Sequence, residues 1–172
     1  MDNTTITVER ARHERGDLEA ITGIDQTCFP VPTINAIDEV DRPWAQIWVA
    51  RVNGGNDPVG FLVAWLVADE IHILSLATLP AHRRRGIATA LLDATLDFAR
   101  ERQVRAVLLE VRRSNRAAIA LYRAAGFSAM GIRAQYYADN QEDAIDMTLR
   151  LDPVTGTVRP CRDEVDLEEA VK

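Results

Sequence analysis

The chain has 172 residues, enough for one domain with one sizeable hydrophobic core. Apolar residues make up 47% of it and charged residues 27%, as in ordinary globular proteins, and no apolar run approaches the roughly 18 residues of a membrane-spanning helix. The formal net charge of −6 argues against general affinity for nucleic acid or for acidic membrane surfaces.

The cysteines and histidines argue against two further classes of protein. Cys28 and Cys161 stand far apart, which is typical of a reducing compartment and not of a disulfide framework, so we expect a cytoplasmic protein. His13, His72 and His82 do not cluster with them at metal-ligand spacing, and we therefore predict no metal site. The first residues have neither a basic start nor an apolar core, so no secretory signal is expected.

The N-terminal part of the chain predicts a strand followed by a helix. Residues 5–11 alternate between apolar and polar side chains, as in a half-buried strand. Asp17 is expected to be the N-cap of a helix in which Leu18, Ile21 and Ile24 recur at helical spacing. The remaining predicted elements, in order, are helix 33–40, strands 47–52, 59–67 and 71–78, helix 86–102, strand 104–111, helix 116–125, and strands 127–137 and 143–151.

The connections between these elements predict how the strands are arranged. The turns between residues 47 and 78 are too short for a crossover, so the three strands there form an antiparallel meander. Helix 86–102 then separates strand 71–78 from the apolar strand 104–111, which we expect to be its parallel neighbour, buried at the centre of the sheet. The last two strands form an antiparallel pair. The expected fold class is therefore α+β (α/β), with a mixed, mostly antiparallel sheet.

The chain after residue 152 differs in composition from the part before it. Residues 153–172 contain five acidic residues and little apolar surface. We therefore expect a single domain at residues 1–152, followed by an acidic, mobile tail with at most a fraying helix at residues 164–171.

A strand end, a basic turn and a helix start follow one another at residues 76–89. The apolar run stops at Pro80, and the sequence Arg83-Arg84-Arg85-Gly86 opens the helix. The N–H groups and the dipole at a helix start attract anions, and Gly86 lets a ligand approach the backbone closely. This stretch indicates an anion site, although three arginines in a solvated turn give the same pattern.

Three motifs occur together between residues 83 and 127: RRRGIA at residues 83–88, LEVRRSN at residues 109–115 and AIALYRAAGF at residues 118–127. With these motifs the chain resembles the GCN5-related N-acetyltransferase (GNAT) superfamily over residues 48–151, most strongly over residues 75–127. A Tyr-Tyr pair and a Glu-Asp-Ala motif further on make it most similar to the RimI-type N-terminal (alanine) acetyltransferases, which modify ribosomal proteins.

The resemblance implies a fold, a co-substrate and a mechanism. In the GNAT fold, a central parallel pair of strands splays apart to hold acetyl-CoA, and helices flank the sheet. The acetyl group passes directly to an amine, in this case a protein N-terminus such as that of a ribosomal protein. Glu110 would be the general base and Tyr122 the general acid. No metal, nucleic acid or membrane partner is implied.

The resemblance also assigns the other site residues. Asn115 is expected both to cap the helix that Gly126 ends and to bind acetyl-CoA. Neighbouring strand residues point to opposite faces, so only one ring of the Tyr136-Tyr137 pair is expected to face the site. The implied contacts to acetyl-CoA come from Leu76, Ala77 and Thr78 at the thioester arm, from Arg83, Arg84, Arg85, Gly86, Ile87, Ala88 and Thr89 at the phosphates, and from Asn115 and Tyr122; the implied acceptor contacts come from Phe29, Pro30, Val31, Tyr136 and Tyr137.

The residues by themselves leave alternatives open. Without the resemblance, a solvated strand end explains Glu110 equally well, and a buried core tyrosine is the better explanation of Tyr122. The chain reads Phe29-Pro30-Val31 where the family has Phe-Pro-Trp, which keeps a small-molecule amine open as the acceptor. A non-catalytic acyl-CoA-binding module is the third interpretation. The oligomeric state is not predicted.

Overall fold

The computed structural model of the chain describes residues 4–12 and 16–166. No helix within these residues is long and apolar enough to cross a lipid bilayer. The helices are α1 (Asp17–Cys28), α2 (Ala36–Val40), α3 (Ile87–Glu101) and α4 (Arg116–Ala125), with a short 3-10 turn at Pro80–His82. The strands are β1 (Ile6–Arg10), β2 (Ala45–Val52), β3 (Gly60–Val67), β4 (Glu70–Thr78), β5 (Ala106–Arg112), β6 (Ser128–Tyr137), β7 (Glu142–Leu151) and β8 (Val158–Arg159).

The chain divides into two compact units, which are described separately. The first unit comprises Met1–Leu66 and Ile73–Phe98, and its strands follow the order β1-β2-β3-β4. β2 pairs with β1 on one side and with β3 on the other, antiparallel in both cases, so that Val49 lies opposite both Glu9 and Phe61. The predicted antiparallel arrangement of β2 and β3 is confirmed.

Helix α1 packs one apolar face into the core of the first unit. Leu18, Ile21 and Ile24 are buried in one cluster with Val49 and Phe61 of the sheet. Their spacing of three residues keeps them on one side of the helix, because an α-helix turns once in about 3.6 residues. The predicted apolar face of this helix is confirmed.

Asp17 does not cap α1, and that prediction was wrong. Gly16 precedes the helix with a φ of 69°, while Asp17 is its first residue and is fully buried. The Asp17 carboxylate accepts a hydrogen bond from the N–H of Arg12 at 2.9 Å and forms an ion pair with Arg51. Arg51 also donates to Oε1 of Glu9 at 2.8 Å. The Asp17 carboxylate therefore binds the buried guanidinium of Arg51, which is distant in the sequence, and not the N–H groups at the start of α1.

The second unit comprises Val67–His72 and Ala99–Lys172, and its strands follow the order β4-β5-β7-β6. β5 is central, because the start of β4 lies parallel to it on one side and β7 lies antiparallel on the other. Where β4 and β5 begin, the N–H of Arg105 donates to the carbonyl of Asp69 at 2.7 Å. β6 and β7 pair antiparallel. The predicted parallel pair and the predicted final antiparallel pair are both confirmed.

Strand β5 is fully buried on one face only. Val107, Leu109 and Val111 are buried, whereas Glu110 and Arg112 on the opposite face are partly exposed. The predicted central position of this strand is confirmed, but its burial is confined to one face, because Glu110 and Arg112 lie on the other. The alternation places Glu110 and Arg112 side by side on the same partly open face.

Part of the predicted tail packs against other elements of the second unit, to which it belongs. β8 pairs with the end of β7, a strand that the sequence did not predict. Beyond it, the Asp163 carboxylate accepts hydrogen bonds from the N–H of Ala129 at 2.8 Å and from Nη1 of Arg123 at 2.7 Å. The helix expected at residues 164–171 lies mostly outside the described residues. The domain boundary at residue 152 and the mobility of the tail remain predictions.

The buried ion pair in the first unit predicts a large effect on stability. Asp17→Asn removes the buried negative charge that pairs with the buried Arg51 guanidinium, so we expect the free energy of unfolding to fall by about 3 kcal/mol. Urea unfolding at neutral pH measures this change. Asp57→Asn removes an exposed carboxylate as the control and should change the free energy of unfolding by at most about 0.5 kcal/mol. Equal effects of the two variants would contradict the importance of the pair.

Candidate active site

Glu110 lies in β5 with its carboxylate on the partly open face of the strand. Its partner across the β5–β7 ladder is Asp146. The Glu110 side chain is 32% exposed, and its Oε1 lies 3.0 Å from Nη2 of Arg133. Arg133 also pairs with Asp146, whose Oδ1 lies 2.8 Å from the arginine Nε. Glu110 is therefore one of two carboxylates that share one guanidinium.

Tyr122 lies in α4, a helix with defined caps at both ends. Asn115 Oδ1 accepts a hydrogen bond from a backbone N–H of the first turn at 3.1 Å, and Gly126 ends the helix with a φ of 101°, as predicted. The Tyr122 ring is buried beside Phe127, with ring centroids 5.6 Å apart. Burial, and to a smaller extent the nearby Tyr137, raises the pKa of Tyr122, so this phenol stays protonated at neutral pH.

Tyr136 and Tyr137 end β6 with their rings in contact. The ring centroids are 5.2 Å apart and the planes are 89° to each other. The expectation that the two rings point to opposite faces was wrong, because this end of β6 is irregular. Gln135 has a φ of 53°, and the pairing of β6 with β7 shifts between Arg133 and Tyr137. Such a bulge re-aims side chains, and in this strand it brings the two rings together.

Arg112 joins the end of β5 to the hairpin between β6 and β7. Its Nη2 donates to both carboxylate oxygens of Asp139, at 2.9 and 3.0 Å, and its guanidinium lies 3.8 Å from the centre of the Tyr137 ring. Burial raises the pKa of Tyr137 to about 12, although Arg112 acts in the opposite direction. We did not single out Arg112 from the sequence. Its place two residues after Glu110, on the same strand face, was the available signal.

Glu142 holds the loop that leads from β5 to α4. Its Oε1 accepts the N–H of Ser114 at 2.7 Å, and its Oε2 accepts hydrogen bonds from Arg112 at 3.2 Å and from Asn140 at 3.3 Å. Burial alone would raise the pKa of Glu142, but these hydrogen bonds outweigh it and lower the pKa to about 2. Since Asn115 directly follows Ser114, this carboxylate helps to set where α4 begins.

In the first unit, Leu76, Ala77 and Thr78 form the end of β4. The carbonyl oxygen of Thr78 accepts a hydrogen bond from Nε of Arg83 at 3.2 Å and another from Sγ of Cys28 at 3.5 Å. The hydroxyl of Thr78 is buried and has no hydrogen-bond partner among the residues that the structure describes. The Arg83 side chain is therefore folded back onto the strand end by its Nε.

The loop that opens α3 contains two residues in the left-handed conformation. Arg84 has a φ of 64° and Gly86 a φ of 82°. The N–H of Ala90 donates to the carbonyl of Gly86 at 2.9 Å, so the N–H groups of Ile87, Ala88 and Thr89 have no acceptor within the helix. A helix start with N–H groups in this state, preceded by left-handed residues, is a backbone geometry suited to anions.

The loop at residues 29–31 is anchored by a small polar network. Asp25 of α1 is buried, and its Oδ2 accepts the N–H of Thr33 at 2.9 Å, while the Thr33 hydroxyl donates to Oδ1. The same hydroxyl lies 2.8 Å from Oγ of Ser75 in β4. Within the loop, Val31 is exposed. We did not predict this network, because its members are far apart in the chain.

Metal-binding side chains do not gather anywhere in residues 4–12 and 16–166, where no group of three or more His, Cys, Asp or Glu side chains is placed to hold an ion. His72 lies 3.2 Å from the carboxylate of Glu70. His13 lies outside the described residues.

The lowered pKa of Glu142 predicts a pH-dependent contribution to stability. Its carboxylate has a lower pKa in the folded state than its ordinary value of 4.5, so it stabilises the protein above that pH and loses this effect as the pH falls towards about 2. Glu142→Gln should lower the free energy of unfolding at pH 7 by about 1 to 3 kcal/mol, and the difference from wild type should shrink below about pH 4.5. Urea unfolding across this range tests it. Glu101→Gln, at an exposed position, serves as the control, and a pH-independent difference would rule out the carboxylate charge as the cause.

Comparison with known proteins assigns the chain to a family. The sequence profile of the Acetyltransferase (GNAT) family matches residues 18–127. A ribosomal protein bS18-alanine N-acetyltransferase from Escherichia coli (strain K12) is 43% identical over 91 residues, which are 52% of this chain and 62% of that protein. The matched region thus spans less than two thirds of that relative. A putative ribosomal protein bS18-alanine N-acetyltransferase from Bacillus subtilis (strain 168) is 32% identical over 134 residues, 76% of this chain and 87% of that protein.

The solved structures give the same result for the fold. The crystal structure of the ribosomal-protein-S18-alanine N-acetyltransferase from Escherichia coli superimposes with a TM-score of 0.75 at 32% identity, and covers 85% of this chain and 94% of that one. The predicted superfamily and its fold class are therefore confirmed. The profile match extends over more than half of the chain, from α1 to the end of α4, and includes all three motifs. The chain belongs to the acetyltransferase (GNAT) family.

Proposed function

We propose that this protein is an acetyl-CoA-dependent N-acetyltransferase that acts on the N-terminal α-amine of a protein, with a ribosomal protein as the acceptor. Family membership supports the reaction class, and the names of the bacterial relatives support the acceptor. The observation that carries the mechanism is that Arg112 links the strand that bears Glu110 to the helix that bears Tyr122. Arg112 lies on the same face of β5 as Glu110, and it donates to Glu142, whose other oxygen accepts the N–H of Ser114 just before α4.

In the proposed reaction, the neutral amine attacks the carbonyl carbon of the thioester and a C–N bond forms. The amine proton passes to Glu110, directly or through water. The tetrahedral intermediate then collapses, the C–S bond breaks, and the departing thiolate takes a proton from Tyr122. The products are the N-acetylated acceptor and coenzyme A. The proton on Glu110 is released to water and Tyr122 takes a proton back from water, so that both groups return to their starting states. No acetyl-enzyme is formed.

The environments of the two groups suit these roles. Tyr122 is buried with a raised pKa, so it keeps its proton at neutral pH until the departing thiolate takes it. Glu110 is partly exposed, as a base that must meet an incoming amine has to be. An N-terminal amine has a pKa of about 7.7 to 8.0, against about 10.4 for a lysine, so a larger fraction of an N-terminal amine is neutral at physiological pH and able to attack.

For acetyl-CoA, we assign the pyrophosphate to the loop that opens α3 and the thioester arm to the end of β4. The helix start there has N–H groups without intrahelical acceptors, and backbone amides of this kind bind phosphate oxygens. Backbone N–H and C=O groups at a strand end can pair with the amides of the pantetheine arm. Asn115 is assigned to the same ligand in addition to its capping role, and we place the activity in the cytoplasm.

Removing either proton-transfer group should slow turnover without abolishing co-substrate binding. Glu110→Gln and Tyr122→Phe should each lower kcat about 100- to 10,000-fold, because each loses a general acid or base. The assay is thiol release from acetyl-CoA with a short Ala-initiated peptide, and intact mass locates the added acetyl group. Calorimetric titration with coenzyme A is the control for folding and binding. Unchanged turnover in both variants would contradict the assigned roles.

The acceptor class is tested with matched substrates. The Ala-initiated peptide should react, and the same peptide with an acetylated N-terminus should not, even when it contains a lysine. A panel of free amino acids, polyamines and aminoglycosides should react poorly. Preference for one of these amines over the peptide would replace the protein acceptor by a small molecule, and tight acetyl-CoA binding without turnover on any amine would indicate a non-catalytic module.

The loop that opens α3 predicts a selective effect on co-substrate binding. Gly86→Ala puts a Cβ on a residue with a φ of 82°, where the nearest neighbour, Ile6, is 3.8 Å away, so the penalty is backbone strain and not a clash. We expect the KM for acetyl-CoA to rise about tenfold, matching strain of about 1 to 2 kcal/mol. Gly54→Ala has the same strain at a φ of 70° in an open turn and should leave this KM unchanged. Equal KM values for both variants would contradict the assignment.

A further inference from the structure

Arg133 bridges two carboxylates beside the proposed general base. Its Nη2 lies 3.0 Å from Oε1 of Glu110. Its Nε lies 2.8 Å from Oδ1 of Asp146 and donates a hydrogen bond to Oδ2 of the same residue at 3.0 Å. One positive charge is thus shared by two negative charges, and the group of three has a net charge of about −1 at neutral pH.

The two carboxylates need a cation whether or not Arg133 supplies it. Glu110 and Asp146 are directly opposite in the β5–β7 ladder, where side chains start about 5 Å apart and like charges destabilise the pair. Arg112, which lies on the same face of β5 as Glu110, forms ion pairs with Asp139 and Glu142. The position between Glu110 and Asp146 is therefore a place where a cation is stabilised.

Arg133 satisfies this position incompletely. Oδ1 of Asp146 is buried and lies against the Arg133 Nε, yet no donor within the described residues is aligned to hydrogen bond with it. The Nε of Arg133 has a single N–H, which it donates to Oδ2, and the planar guanidinium fixes the direction of this group. An ammonium group has three N–H donors that rotate freely and can be directed at oxygens of both carboxylates.

Arg133 is also placed so that it can leave. Its side chain is 50% exposed, and those of Glu110 and Asp146 are 32% and 31% exposed, so all three are accessible from solvent. Exposed ion pairs contribute at most about 1 kcal/mol, which a competing ligand can overcome. The guanidinium lies 5.4 Å from the centre of the Tyr136 ring, so an aromatic face is available to it outside the carboxylate pair.

We propose that Glu110 and Asp146 together bind the ammonium group of the acceptor, and that Arg133 occupies this position in the free enzyme and is displaced by the acceptor. The inference rests on the proposed function and adds Asp146 and Arg133 to it as residues that select a cationic acceptor. The bound ammonium passes one proton to Glu110, which releases it to water. Glu110 is then a carboxylate again when the neutral amine attacks the thioester and gives up its second proton.

Displacement predicts that removing Arg133 improves acceptor binding. In Arg133→Gln the ammonium no longer competes with a tethered cation, so the KM for the Ala-initiated peptide should fall about two- to fivefold, while the KM for acetyl-CoA stays unchanged. Arg133→Lys restores a cation and should return the KM towards the wild-type value. Arg105→Gln removes an exposed arginine paired with Asp69 and controls for the change in net charge.

Asp146 is tested by the charge of the ligand. Binding of the Ala-initiated peptide and of its N-acetylated form is measured by calorimetry with saturating coenzyme A, so that no turnover occurs. Asp146→Asn should weaken binding of the amine peptide about tenfold and leave binding of the acetylated peptide unchanged, because only the first carries the ammonium. Asp146→Ser removes the same charge with a smaller side chain and should discriminate in the same way.

The outcomes separate this inference from the proposed function. A higher peptide KM in Arg133→Gln would show that Arg133 helps to bind the acceptor and would overturn displacement. Equal weakening of both peptides by Asp146→Asn, or no weakening of either, would overturn the ammonium site. In those cases normal wild-type acetylation of the peptide leaves the proposed function standing. A wild-type enzyme that acetylates no N-terminal peptide overturns the proposed function and this inference with it.

Discussion

The ion pairs of Arg112 are the interaction on which the geometry of the second unit depends. The guanidinium binds both oxygens of Asp139, donates to Glu142 and lies against the ring of Tyr137. A bidentate, charge-assisted contact of this kind fixes direction as well as distance. Glu142 also accepts the N–H of Ser114. Arg112 therefore connects the end of β5 to the β6–β7 hairpin directly, and to the start of α4 through Glu142. These connections position Tyr137 directly and the helix that carries Tyr122, the proposed acid, at its start.

Local patterns predicted the elements of the fold well. Helix α4 has the predicted limits, Asn115 caps it and Gly126 ends it in the left-handed conformation, because caps and helical periodicity depend on residues within a few positions of each other. The apolar face of α1 follows from the same kind of information. The superfamily was recognisable for a different reason: its three motifs are short and contiguous, so they can be read before the fold is known.

Side-chain partners were predicted poorly wherever they come from distant strands. Asp17 has the residue type and position of an N-cap, but only the pairing of the strands reveals that Arg51 reaches it. Asp146 joins Glu110 only through the β5–β7 register, and this register is not visible in either segment alone. The two tyrosine rings depart from strand alternation because Gln135 adopts a positive φ. Glutamine has no preference for that conformation, so the sequence did not predict it. Candidate residues were therefore predictable, and their mutual contacts were not.

The short strand β8 has a consequence for the edge of the sheet. Thr148 is the last residue of β7 that pairs with β6. Two residues further on, Arg150 of β7 pairs with β5 on one side and with Arg159 of β8 on the other. β8 therefore continues the edge that β6 leaves and covers backbone N–H and C=O groups that would otherwise face solvent. Uncovered strand edges pair readily with other chains. A protein shortened to residue 152 would expose this stretch of β7. Its molecules would associate through this strand edge before their enzymatic activity is lost.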